Sequence, residues 1–127
     1  MTPSDPLPPN EITITQEMID EYARISGDFN PLHVDVEAAA RTPFGGTIAH
    51  GCIPMEPIFK VVQRIIGKPV MPAGSRMSLR YLQPSRPGDT IRLELRDDGN
   101  DGAAADLVFA CVNQRGDKVI EGRCTLG

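Results

Sequence analysis

The chain has 127 residues, 40% of them hydrophobic, and a formal net charge of −4, enough for one domain around one core. Its acidic balance, with no block of Lys or Arg, argues against a surface that tracks nucleic-acid phosphates. The 12 glycines and 12 prolines make up about 19% of the chain against a usual ~12%, which indicates a folded domain with many turns rather than low complexity.

Residues 1–10 contain four prolines and no apolar run. They are expected to form a flexible, extended lead-in without signal peptide or membrane span, and residues 11–127 a single domain in a reducing, cytoplasmic compartment. Glu11 to Ile14 alternates and predicts a short strand. Thr15 can cap a helix with Glu17 in its first turn. Met18, Ile19, Tyr22, Ala23 and Ile25 give that helix an apolar stripe, and Gly27 ends it. Asp35 can cap a short helix through Ala40, which Thr42 to Gly46 breaks.

His50 to Gly67 carries apolar residues around most of a helical circumference, so it predicts a central helix buried on nearly all sides. Pro54 and Pro57 require either that regular helix starts near Pro54 or that its first turns are kinked. From Ser75 the period becomes two. Met77, Leu79 and Tyr81 form one inward set, Ile91, Leu93 and Leu95 the next, then Ala105, Leu107, Phe109 and Cys111. Turns are expected at Asp97–Gly102 and at Gln114–Asp117, before a last strand from Lys118 to Leu126. Strands after a mostly helical first half indicate an α+β fold, an antiparallel sheet packed on one long apolar helix. Cys111 and Cys124 lie in apolar runs and read as buried thiols. Among Cys52, Cys111 and Cys124 there is no CxxC spacing.

The richest chemistry lies in Ser26-Gly27-Asp28-Phe29-Asn30-Pro31-Leu32-His33. On a continuous helix Asp28 and His33 would point about 140° apart. Gly27 and Pro31 instead shape a bend that brings them together. A carboxylate beside an imidazole can hold a water and move its protons. The same residue types also make an ordinary turn. Two further readings are a metal site from Asp28, His33, His50 and Asp35, which lacks any HxH or HxxxH spacing, and a Cys52 nucleophile with His33. At Ala49-His50-Gly51-Cys52, a glycine heading the apolar helix leaves amides unpaired and lets a ligand approach. These amides could hold a developing enolate oxygen, or the segment is simply a tight turn.

The run Tyr22 to His33, followed by Ile48-Ala49-His50-Gly51, closely resembles the MaoC-like, R-specific enoyl-CoA hydratase family. Pro84 to Asp89 and Asn113-Gln114-Arg115-Gly116 extend the likeness over roughly residues 15 to 127. The resemblance implies a hot-dog fold, a curved antiparallel sheet wrapped around the His50–Gly67 helix, and a homodimer, a heterodimer being the other option. It implies Asp28 and His33 as catalytic residues, Asn30 and His50 as supporting ones, and the Gly51 amide as the donor to a thioester oxygen. Met55, Glu56 and Phe59 are the candidates for contacting the acyl group. No metal or redox cofactor is implied; CoA or an acyl-carrier pantetheine belongs to the substrate.

The implied reaction is hydration of a trans-2-enoyl thioester to an (R)-3-hydroxyacyl thioester, or its reverse. A hot-dog thioesterase and a non-catalytic acyl-binding or partner subunit are the alternatives. Pro54, Glu56 and Pro57 depart from the family pattern. If Glu56 faces the acyl site unpaired, a long plain chain is disfavoured and a short or polar acyl group is expected. A phosphate-bearing carrier needs a local basic patch, for which Arg76, Arg80 and Arg86, or Arg64 and Lys68, are candidates.

Overall fold

The structure of the chain, a computed structural model, describes residues 10–67, 71–96 and 106–126. The lead-in before Asn10, Lys68 and the expected Asp97–Gly102 turn lie outside the described residues. In chain order the elements are β1 Glu11–Thr13, α1 Gln16–Ser26, α2 Pro31–Val34, α3 Val36–Ala40 and α4 Glu56–Ile66. Then follow β2 Arg76–Tyr81, β3 Thr90–Arg96, β4 Asp106–Val112 and β5 Lys118–Thr125.

The strands form one five-stranded sheet in the order β1-β3-β4-β5-β2, every neighbouring pair antiparallel. Its register places apolar residues opposite one another on one face. Ile12 lies across from Ile91, Leu93 from Cys111, Cys111 from Ile120, and Met77 and Leu107 both from Cys124. Cross-strand pairs of this kind hold a sheet in register, because a one-residue slip would turn every one of them to solvent. Leu79 and Phe109 flank Gly122, and a Cβ there would collide with the Ser78 carbonyl oxygen. The apolar face packs with Ile14, Ile19, Ile58 and Val62 in a single core. Cys111 and Cys124 are buried in it, as their runs suggested, and Cys52 is exposed.

Regular helix begins at Glu56 rather than His50, with Pro57 in the first turn. There its missing N–H is one the helix leaves unpaired anyway. Residues 51–55 form turns and a bend instead. The expectation of burial on nearly all sides is also corrected. Pro57, Ile58 and Val62 are buried, whereas Lys60, Gln63, Arg64 and Ile65 are exposed. One sheet covers one side of a helix, and α4 is amphipathic once its polar residues are placed on the wheel. Tyr81 and Leu95 share the inward phase of their strands yet stay 52% and 46% exposed.

Candidate active site

Three local signals shape the approach to Asp28. The Thr15 hydroxyl accepts from the Met18 amide at 3.1 Å and starts α1. Gly27, at φ 80°, ends it, its N–H donating to the Ala23 carbonyl at 2.9 Å. Beyond it the Asp28 carboxylate accepts from the Asn30 amide at 3.2 Å. Asn30 in turn accepts from the Leu32 amide at 3.0 Å and caps α2, with Pro31 first in the helix. His33 therefore sits on a one-turn helix rather than in open loop. A short polar cap and a ring-fixed φ suffice to start such a turn.

The bend brings Asp28 Oδ2 to 3.9 Å from His33 Nε2. That is too long for a direct hydrogen bond and short enough for one water to touch both. His33 is only 14% exposed at its side chain, Asp28 53%. The other ring nitrogen, Nδ1, lies 2.8 Å from the Ile48 carbonyl oxygen. A carbonyl can only accept, so Nδ1 carries the proton. In the neutral ring the lone pair is then on Nε2, facing the carboxylate.

His50 is buried, at 4% exposure. Its Nε2–H donates to the Asp28 backbone carbonyl at 3.0 Å. One ring face stacks on His33, centroids 3.9 Å apart and planes inclined by 27°, and Tyr22 lies 4.7 Å away. Its Nδ1 meets no partner among the described residues. Asp28, His33 and His50 each bring one donor atom within 4.8 Å of the others, which is the metal reading in its strongest form. The stack counts against it. Two rings so nearly parallel do not direct both in-plane lone pairs at one ion about 2.0–2.1 Å away. Asp35, the fourth candidate, accepts from the Ala38 amide and caps α3 instead.

Gln16, at the start of α1, is a site residue that spacing did not reveal. Its Nε2 donates to Asp20 at 2.9 Å and to the His33 carbonyl at 2.8 Å, while its Oε1 accepts from the Thr47 hydroxyl at 2.6 Å. One side chain thus ties α1 to α2 and to the segment before His50. That segment is clamped further. The Ile48 amide donates to the Leu32 carbonyl at 3.0 Å and the Ala49 amide to the Ser85 carbonyl at 2.7 Å.

Two grooves border the His50–Cys52 turn. A larger one of about 650 Å³ runs between α1 and the start of α4, lined by Met18, Tyr22, Ile25, Cys52, Glu56 and Phe59 among others. A smaller one of about 320 Å³ lies by Ile48, Ala49, Gly51, Tyr81, Leu82 and Ser85. Of the three acyl-contact candidates, Glu56 and Phe59 line the larger groove. Met55 is buried beneath the Tyr81 hydroxyl, which donates to its sulfur at 3.2 Å. Glu56 is neither buried nor unpaired: its carboxylate is 42% exposed and lies 3.0 Å from Lys60. The condition for a large desolvation cost at Glu56 is therefore not met in the free chain. Of the candidate phosphate contacts, Arg80 lies 3.8 Å from Glu121.

The Tyr22 hydroxyl is pushed above the usual phenol range. Its hydrogen bond with Cys52 does most, followed by the Cys52 charge, burial, and the neighbouring Asp28 and Tyr81. Tyr81 is raised too, first by burial and then by Cys52 and Cys111. Both phenols are therefore protonated, and able to donate, at neutral pH.

The family profile of the MaoC-like domain matches residues 2–125. The chain is 32% identical over 93 residues to protein MaoC of Klebsiella aerogenes, covering 73% of this chain and 28% of that protein. It is 29% identical over 109 residues to 3-hydroxybutyryl-CoA dehydratase of Methylorubrum extorquens, covering 78% and 62%. It thus spans less than two thirds of either relative. Among solved structures, the (R)-hydratase from A. caviae superposes with a TM-score of 0.72 at 25% identity, over 92% of this chain and 91% of that one. The sheet-on-helix architecture is accordingly the hot-dog fold.

Proposed function

The chain belongs to the MaoC-like dehydratase family, and on that premise we propose that it hydrates a trans-2-enoyl thioester to an (R)-3-hydroxyacyl thioester, or catalyses the reverse dehydration. The observation that carries this reading is the 3.9 Å gap between Asp28 Oδ2 and His33 Nε2, together with the Ile48 carbonyl that holds Nδ1 and leaves the Nε2 lone pair facing that gap. The names of the relatives, a 3-hydroxybutyryl-CoA dehydratase and an (R)-hydratase, support it.

In this reading a water sits between the two side chains. Asp28 accepts one of its hydrogens and fixes its orientation. His33 Nε2 takes the other proton as the water oxygen bonds C3. The π pair of C2=C3 moves into C1–C2, and charge collects on the thioester oxygen. The Gly51 amide hydrogen-bonds that oxygen, and return of a proton to C2 completes the addition. Positioned acid–base groups supply roughly 10²–10⁴ in rate and one oxyanion donor about 10²–10³. No metal or redox group is needed to balance this addition. We infer a homodimer as well, because Ile25, Phe29 and Val36, on the segments flanking the dyad, are 76%, 57% and 61% exposed.

Purified protein mixed with crotonyl-CoA tests the reading. Loss of the conjugated enoyl absorbance with formation of (R)-3-hydroxybutyryl-CoA is expected. No consumption, or release of free CoA thiol, would overturn it. Sedimentation velocity tests the dimer, and a monomer at micromolar concentration would refute it.

A further inference from the structure

We propose that the Tyr81 hydroxyl is a second donor to the thioester oxygen, acting beside the Gly51 amide; this rests on the hydration reading above. Tyr81 ends β2 in phase with the inward-facing Met77 and Leu79, and by alternation its ring belongs in the core. It is instead 52% exposed, with its phenol lying against the turn before α4. A Cβ on Gly51 would lie 2.7 Å from the Tyr81 oxygen and 2.8 Å from Cζ. The hydroxyl end of the ring therefore rests on the Gly51 backbone, and no larger residue fits there without displacing it.

The two groups share the groove of about 320 Å³, and neither donor is committed to a strong acceptor. The Gly51 amide meets no acceptor among the described residues. Among the described residues the Tyr81 hydroxyl donates to the Met55 sulfur, at 3.2 Å, and a thioether is a weak acceptor. Exchanging that sulfur for an oxygen gaining negative charge strengthens the bond as the charge grows, which is the differential interaction that speeds a reaction. Gly51 directly follows His50, whose ring stacks on His33 and whose Nε2–H donates to the Asp28 carbonyl, so the phenol rests on the residue next to the one that holds the dyad. No proton leaves Tyr81 in this role. Charge reaches the thioester oxygen as the C3–O bond forms and departs when C2 is protonated, and the hydroxyl hydrogen-bonds that oxygen throughout.

Tyr81→Phe removes one oxygen and keeps the ring over Gly51. On crotonyl-CoA we expect kcat to fall about a hundredfold, with KM and melting temperature little changed. A structural role would not move the second readout, the carbonyl stretch of bound crotonyl-CoA by difference infrared spectroscopy in an Asp28→Asn background that binds without turning over. Adding Tyr81→Phe should return that band part of the way to its free-solution frequency. An unchanged band overturns the role given to Tyr81. A wild-type protein that does not hydrate crotonyl-CoA overturns the hydration reading instead, so the two failures are distinguishable.

Discussion

His33 and His50 lie ring against ring with centroids 3.9 Å apart, and His50 also donates to the Asp28 carbonyl at 3.0 Å. One buried imidazole therefore holds both members of the dyad, one through a face and the other through an N–H. The two contacts separate by mutation. His50→Phe keeps a ring and loses the donor; His50→Gln keeps an N–H and loses the face. We expect kcat on crotonyl-CoA to fall about a hundredfold in the first and about tenfold in the second, since a displacement near 1 Å costs this much. KM should hold. Equal losses in both variants would show that His50 only fills space.

Asp28→Asn and His33→Gln should each lower kcat by about 10²–10⁴. The Asp28 side chain is 53% exposed and its contact with the Asn30 amide is one an asparagine can also make. Its melting temperature should stay within a few degrees of wild type. Thermal unfolding followed by circular dichroism checks this, and a collapsed fold with parallel loss of activity would mark a structural role.

Gln16→Leu leaves the buried Thr47 hydroxyl without its acceptor and the His33 carbonyl without its donor. A buried polar group left unsatisfied costs about 1–3 kcal/mol. Urea unfolding should show a loss in that range with an unchanged m-value. Turnover should fall as well, because α2 loses its tether to α1.

The larger groove carries three carboxylates, Glu17, Glu21 and Glu56, beside Phe59 and Ile53. A long acyl chain laid there would strip water from Glu56 even though Lys60 partners it. Glu56→Leu is expected to raise kcat/KM for a long-chain enoyl-CoA relative to crotonyl-CoA by about tenfold, the scale on which apolar pockets discriminate. Wild type that already prefers the long chain would refute the short or polar acyl preference.

Burial pushes the Cys111 thiol from 9.0 up to about 12. The unfolded chain then gives up this proton near pH 9 while the folded chain keeps it. The unfolded state binds fewer protons in that interval, so stability is full below pH 9 and is lost as pH rises toward 12. The raised Tyr22 and Tyr81 add in the same direction at the upper end. Chemical unfolding between pH 8.5 and pH 10 should slope downward in wild type, and less in Cys111→Val, by at most about 1.4 kcal/mol per pH unit.

Features set by neighbours along the chain were legible in the sequence. The Thr15 cap, the Gly27 stop and the Asp35 cap each involve residues within four positions, whereas the one-turn helix α2 stands where a bend was expected. The period-two runs likewise became strands. What could not be read was decided by distant partners. The placement of β5 between β4 and β2 is a matter of topology. The tautomer of His33 depends on the Ile48 carbonyl, 15 residues away, and Gln16 reaches Thr47 across 31. Tyr81 matched the strand period and still stays half exposed, its hydroxyl end resting on Gly51 and the Met55 sulfur at the turn before α4. The two prolines put the start of regular helix near Pro54, and α4 begins at Glu56; the burial around it could not be read, because that depends on which side the sheet covers.

Ile48 both receives the His33 imidazole and donates to the Leu32 carbonyl, while α2 itself buries none of its four residues. These bonds, the Gln16 tether and the His50 stack secure that turn in place of a buried apolar face, so it belongs among the parts of the molecule that open without global unfolding. Catalytic competence and local opening then become one equilibrium. Amide hydrogens of residues 32–33 should exchange far sooner than those of β4 and β5, and mild denaturant should silence turnover while the sheet remains intact.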